Sequence, residues 1–173
     1  LYDMCNSCIN FFCKNEDSWP WLNKNIIPFI FKNNKKHGTG ELKNGNTVYS
    51  GQWRNGNKHG EGIETIEQVI HNSVDEGIHD EIISKFEGIW DNGIFTKGTE
   101  IVSENDQIVY KYEGEFLGLD PHGLGKIEFF NSDHSFEGEF KNGNYYQGTY
   151  FGPKYTFSGQ FINNKPNVQG ALD

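Results

Sequence analysis

Aromatic residues and glycines alternate in a short pattern that recurs along most of the chain. An aromatic residue, a glycine two positions later and a second aromatic two positions after that occur in five copies, which begin at Tyr49, Phe86, Tyr112, Phe136 and Phe157. Because residues two apart lie on one face of a β-strand, each copy places two rings and the intervening glycine on the same face. The pattern predicts strands.

A turn signal follows most copies of this pattern. Asn-Gly occurs at 55–56, 92–93 and 142–143, and it is the preferred two-residue hairpin turn because both positions tolerate positive φ. A second half, clearest at 58–62 and 121–125, then begins a return strand. Each repeat therefore predicts one β-hairpin. The fold class is all-β: an elongated single-layer antiparallel sheet of consecutive hairpins, with about ten strands spanning roughly 50 Å.

The central glycine of each copy has a predicted structural role. A glycine within a strand leaves a gap that a neighbouring aromatic ring can cover. The repeat glycines are Gly51, Gly88, Gly114, Gly138 and Gly159.

These motifs together resemble the MORN repeat (membrane occupation and recognition nexus). The resemblance covers about 37–173 and weakens where Gly-x-Gly is lost, at 97–100 and 147–150. It implies a non-catalytic, intracellular scaffold that docks a partner helix or extended segment near the cytoskeleton or a membrane. It also allows a homodimer through the terminal repeat. Two alternatives stay open: an acidic-phospholipid-binding module, and an accessory region of a larger enzyme of the lipid kinase or lysine methyltransferase type.

Two segments lie outside the repeats. Residues 1–36 are rich in aromatic residues without a period and are interpreted as an irregular or partly helical N-terminal cap over the exposed end of the array at 37–173. The acidic insertion at 66–85 carries apolar residues at roughly helical spacing, which predicts either a short amphipathic helix or a mobile loop. The chain begins with Leu1 rather than Met, so we expect a fragment of a longer protein.

Charge bears on the choice of partner. The 173 residues include 24 acidic and 15 basic side chains, a formal net charge of −9. This balance argues against nucleic acid and disfavours an acidic bilayer. The only small basic cluster is Lys32, Lys35 and Lys36. We therefore expect a protein partner.

Candidate chemistry is sparse. Cys5, Cys8 and Cys13 could be free thiols, sites of S-acylation or part of a zinc site with His37, and free thiols are favoured because a second Cys/His pair is missing. His59 and His122, like His37, precede repeat glycines, and a position that recurs in this way indicates a structural role. We predict no catalytic residue, no cofactor and no metal.

The candidate partner-binding residues lie on both faces of the predicted sheet. Glutamates on either side of the repeat glycines are expected to align as an acidic stripe for a basic partner. The second ring of each repeat is expected to line a concave surface. The acidic candidates are Glu113, Glu115, Glu137 and Glu139, and the ring candidates are Trp53, Trp90, Phe116 and Phe140.

Overall fold

The computed structural model describes residues 30–71, 79–167 and 171–172, and over these residues the chain forms strands and no helix. In chain order the strands are β1 Ile30–Lys32, β2 Lys35–Asn44, β3 Thr47–Arg54, β4 Asn57–His71, β5 His79–Asp91, β6 Ile94–Glu104, β7 Gln107–Leu117, β8 Asp120–Phe129, β9 His134–Lys141, β10 Asn144–Phe151, β11 Thr156–Ile162, β12 Lys165–Pro166 and β13 Ala171–Leu172. Each strand from β1 to β12 pairs with the next along the chain, and β13 pairs with β11. The predicted single antiparallel sheet of consecutive hairpins is confirmed.

The hairpin turns have the backbone that Asn and Gly favour. In the turn between β3 and β4, Asn55 and Gly56 have φ values of 53° and 91°. In the turn between β5 and β6, Asn92 and Gly93 have 50° and 91°. Two successive positive φ values are those of the type I′ turn, whose twist matches that of the flanking strands.

A continuous row of paired glycines crosses ten strands of the sheet, from β2 to β11. Each glycine is the register partner of the next; the row comprises Gly40, Gly51, Gly62, Gly88, Gly98, Gly114, Gly125, Gly138, Gly148 and Gly159. A Cβ atom at Gly62 would lie 2.6 Å from Cζ of Tyr49, and one at Gly148 would lie 2.7 Å from Cζ of Phe136. Aromatic rings therefore cover the row.

The core of the sheet is a strip of interlocking rings on the face that these glycines share. Tyr49 and Trp53 meet edge to face with centroids 5.2 Å apart, and Tyr112 and Phe116 do so at 4.9 Å. Edge-to-face contact is a favoured geometry for aromatic pairs. We call this side of the sheet the ring face and the opposite side the polar face. Ring-to-ring and ring-to-glycine packing gives the single layer a buried core.

The acidic insertion differs from both predictions. Its described residues extend β4 to His71 and begin β5 at His79, and Ile66 pairs with Ser84 while Ile70 pairs with Asp80. The helix and loop predictions are therefore wrong for 66–71 and 79–85. Isoleucine and valine make up five of these 13 residues, and β-branched side chains favour a pleated strand.

The sheet also begins earlier than the predicted array. β1 pairs with β2 through Ile30 and His37, so residues 30–36 belong to the sheet rather than to a cap. The rest of the predicted cap, including Cys5, Cys8 and Cys13, lies outside the described residues.

Candidate binding surfaces

The four ring candidates do not form an accessible surface. Their exposed fractions are 5% for Trp53, 2% for Trp90, 6% for Phe116 and 1% for Phe140. Trp53 also donates from Nε1 to the Gly40 carbonyl at 3.1 Å. The prediction that these rings line a binding surface is therefore wrong, because other rings pack against all four of them, for example Tyr49 against Trp53 and Phe136 against Phe140.

The four glutamates lie on the polar face, but they do not form a purely acidic stripe. Lys126 on β8 is the register partner of both Glu113 on β7 and Glu137 on β9. Leu124 occupies the corresponding position between Glu115 and Glu139: it pairs with Glu139, and its amide donates to Glu115 Oε2 at 3.1 Å. The return strands thus place a lysine and a leucine between the acidic side chains.

Lysines also neutralise acidic side chains of the polar face within β5, β7, β8 and β9. Ion pairs join residues two apart: Lys85–Glu87 at 2.9 Å, Lys111–Glu113 at 3.1 Å, Lys126–Glu128 at 2.6 Å and Lys141–Glu139 at 3.7 Å. The hydrogen bond between Lys126 and Glu128 raises the pKa of the lysine and lowers that of the glutamate. Exposed pairs of this kind contribute little to stability, but they give the face charges of both signs.

An open groove of about 730 Å³ runs across this polar face from β6 to β9. Its floor is the backbone of four glycines in the row, Gly98, Gly114, Gly125 and Gly138. Its walls include the charged side chains of Lys97, Lys111, Glu113, Glu115, Lys126 and Glu137. Leu124, 67% exposed, adds an apolar contact.

Two buried carboxylates on the ring face were not among the predicted site residues. Glu64 on β4 is 4% exposed and forms an ion pair with Lys58. The Lys58 Nζ lies 4.4 Å from the ring centroid of Trp90 and 5.1 Å from that of Tyr49. The lysine therefore supplies both a countercharge and cation–π contacts, which are stronger where water is excluded.

Glu100 on β6 occupies the corresponding place in the next repeat. It is 7% exposed and lies in register between Phe86 and Tyr112. Tyr110 donates a hydrogen bond to Glu100 Oε1 at 3.1 Å, and no ion pair involves Glu100 within the described ranges. Burial raises the pKa of Glu100 from its usual 4.5 to about 7.

A sequence signal for these carboxylates exists. Other repeats carry an apolar or aromatic residue two positions after the glycine of the return strand, namely Leu42, Ile127 and Tyr150. A glutamate at this position breaks the pattern.

Each of the three recurring histidines lies directly before a glycine with a left-handed backbone conformation. His37, His59 and His122 precede Gly38, Gly60 and Gly123, whose φ values are 76°, 63° and 70°. Such left-handed backbone favours glycine. His59 Nδ1 lies 3.3 Å from Asp91 Oδ1, and His122 Nδ1 accepts a hydrogen bond from the Asn142 amide at 3.4 Å.

Within the part of the chain that the structure describes, no three His, Cys, Asp or Glu side chains converge to hold a metal ion. A search of the same residues finds no helix with the length and hydrophobicity needed to cross a membrane.

Comparison with known families agrees with the geometry. The family model of the MORN repeat matches residues 30–47, 49–67 and 157–172. The first match starts at the beginning of β1, and the second covers most of β3 and most of β4. A comparison with curated proteins gives no significant match.

Proposed function

Because this chain is a MORN-repeat protein, we propose that it is a non-catalytic scaffold that docks a helix or an extended segment of a partner protein. The observation that supports this proposal is the open groove on the polar face, with its glycine floor and charged walls. We further propose that the scaffold acts inside the cell, beside the cytoskeleton or a membrane, in line with the family resemblance.

The shape of the groove suits an elongated partner. The groove spans four adjacent strands. At about 4.8 Å between strands, its extent perpendicular to the strands is roughly 15 Å. A single α-helix with its side chains is about 10–12 Å across. The partner segment therefore fits as one helix or one extended chain, rather than as a globular surface.

The groove walls also indicate the chemistry of the partner. Acidic and basic side chains alternate across the strands, so a partner with both signs of charge complements them better than a uniformly charged one. The exposed Leu124 provides a place for an apolar side chain of that partner.

Charge reversal tests the groove. We expect the unaltered chain to capture a partner from cell extract at low salt. A variant with Glu113, Glu115, Glu137 and Glu139 changed to Lys should lose that partner. A control with Glu41, Glu67, Glu104 and Asp133 changed to Lys reverses four exposed charges outside the groove and should retain it. The partner is identified by mass spectrometry, and equal capture by both variants would remove the groove from the proposal.

A second candidate function follows from an uneven charge distribution. Residues 30–54 contain five basic side chains and one acidic side chain, a net charge of 5 − 1 = +4 in a chain of −9; the basic residues are Lys32, Lys35, Lys36, Lys43 and Arg54. A basic region of this kind attracts anionic lipid, with about 1 kcal/mol for each Lys or Arg near the surface. This end of the sheet therefore favours binding to acidic phospholipid.

Vesicle flotation separates the two functions. Binding to acidic lipid predicts that the protein floats with vesicles of 70% phosphatidylcholine and 30% phosphatidylserine, and not with phosphatidylcholine alone. Changing Lys32, Lys35 and Lys43 to Glu should abolish flotation, whereas the quadruple change on the polar face should not. Failure to float with either vesicle would exclude the lipid function.

A further inference from the structure

One position on the ring face carries a carboxylate in two successive repeats. A single cross-strand row runs through Tyr49, Glu64, Phe86, Glu100 and Tyr112. Each glutamate therefore has an aromatic ring on both neighbouring strands, and each is at least nine-tenths buried. The two sites have closely similar walls.

The two sites differ in their countercharge. Lys58, the cation of the first site, is the register partner of Trp53 at the start of β4. The corresponding residue at the start of β6 is Phe95, which is the register partner of Trp90 and is fully buried. A phenyl ring thus fills the place of the lysine, and Glu100 has lost the cation that Glu64 retains.

The groups around Glu100 do not replace that cation. Phe86 and Tyr112 present rings, Tyr110 donates one hydrogen bond, and the nearby charge of Asp120 raises the pKa of Glu100. A buried carboxylate without a countercharge is energetically costly. Rings on both sides are also the surroundings in which a cation gains cation–π attraction.

We propose that Glu100 is a binding site for an organic cation, the ammonium or guanidinium group of a Lys or Arg side chain in a protein segment that covers the ring face. The bound cation supplies the countercharge that Lys58 supplies in the preceding repeat, but not from the position of the Lys58 side chain, which Phe95 fills here. This site is separate from the groove, because the two lie on opposite faces of the sheet.

Nuclear magnetic resonance of the side-chain carboxyl carbons tests the site with small probes. Methylguanidinium or n-butylammonium should lower the apparent pKa of Glu100 in a saturable way, by about one unit when the probe reaches tenfold above its dissociation constant. N-butylacetamide, which is neutral, should leave it unchanged. The exposed Glu87 is an internal control for general ionic effects. An unchanged Glu100 pKa with 100 mM of either cation would overturn the proposal.

Two variants sharpen the result. Glu100→Gln removes the charge with little change in shape. Because it also removes the Glu100 carboxyl signal, probe binding is followed in both proteins by the chemical shifts of the Phe86 and Tyr112 ring protons, and it should be lost in this variant while the sheet remains folded. Phe95→Lys restores the arrangement of the first site, and the internal lysine should compete with the probe. Loss of probe binding in Glu100→Gln supports the site even if the groove captures no partner. Unchanged binding in Glu100→Gln places the probe elsewhere and overturns it.

Discussion

The repeat formed by β3 and β4 and the one formed by β5 and β6 solve the same packing problem in different ways. In the first, Lys58 pairs with the buried Glu64. In the second, Phe95 packs 4.9 Å from Trp90 and 4.7 Å from Phe116, measured between ring centroids. Among the side chains that the structure describes, Glu100 has only the hydroxyl of Tyr110 as its hydrogen-bond partner. A more apolar core is thus combined with a carboxylate that lacks a countercharge.

The backbone of the two return strands differs as well. In β4, three residues between Lys58 and Gly62 lie opposite one residue of β3, so the bulge contains two extra residues. In β6, one residue between Phe95 and Lys97 has no counterpart on β5, so the bulge contains one extra residue. The smaller bulge accompanies the loss of the first glycine of Gly-x-Gly, since Thr96 stands in its place. Gly98 nevertheless keeps its position in the glycine row. The two repeats therefore share the glycine row and differ in the size of the bulge and in the countercharge.

The largest expected effect tests the shared row. Gly62→Ala and Gly98→Ala would place a Cβ atom 2.6 Å from Tyr49 Cζ and 2.8 Å from Phe95 Cζ, respectively. We expect each change to destabilise the fold by more than about 3 kcal/mol, because rings and backbone have no room to move apart. Urea unfolding gives the free energies.

Gly93→Ala is the matched control for these two changes. Gly93 has a φ of 91°, but no atom of the described residues lies within 4 Å of a new Cβ, so the cost is backbone strain of about 1 kcal/mol. If Gly62→Ala or Gly98→Ala costs no more than Gly93→Ala, ring packing over the row is not what stabilises the sheet.

The strands and turns could be predicted because their causes are local. Alternation from Tyr49 to Trp53 defines a strand, and Asn55-Gly56 defines the turn after it. The accessibility of the second ring of each repeat could not be predicted from the sequence. The burial of Trp90, for example, depends on its neighbours Tyr49 and Phe95, which lie on other strands.

The prediction of an acidic stripe on the polar face was incomplete for a similar reason. Lys126 separates Glu113 from Glu137 only through the register of β8, and return strands carry the weaker part of the repeat. Glu100, by contrast, was visible as a polar residue in an apolar position. Its significance required the burial and the missing countercharge that only the fold shows.

The next largest effect is a pH dependence specific to the second repeat. Because the pKa of Glu100 is about 7 in the folded chain and near 4.5 when exposed, the folded state holds the proton more tightly. The stabilisation is complete below pH 4.5, declines as pH rises and is lost above about pH 7. The shift corresponds to about 3 kcal/mol.

Comparison with Glu100→Gln isolates this contribution from that of other carboxylates. The neighbours Tyr110 and Tyr112 have raised pKa values through burial and stay protonated in this range, and Asp120 is present in both proteins. Urea unfolding at pH 5, 6, 7 and 8 should show the difference between the two proteins changing with pH. A constant difference would mean that Glu100 does not titrate in the folded chain.

Making the first repeat resemble the second should have an intermediate effect. Lys58→Met removes the countercharge of Glu64 while keeping most of the side-chain volume. We expect a loss of about 2 kcal/mol at pH 7, below the range for a fully buried pair because the Lys58 side chain is 23% exposed. The double change Lys58→Met with Glu64→Gln should recover most of this loss. Full stability of the single variant would show that the two repeats do not differ in their need for a cation.

The smallest expected effect separates the ring face from the polar face within the second repeat. Lys85 pairs with Glu87 at 2.9 Å, but their side chains are 42% and 59% exposed. Lys85→Met should change the free energy of unfolding by less than about 0.5 kcal/mol, because water and salt screen an exposed pair. The same substitution then leaves a carboxylate enclosed by rings and removes two cation–π contacts at Lys58, whereas it leaves an exposed carboxylate at Lys85. If the two variants lost the same free energy of unfolding, enclosure by rings would not be what makes a cation necessary on the ring face.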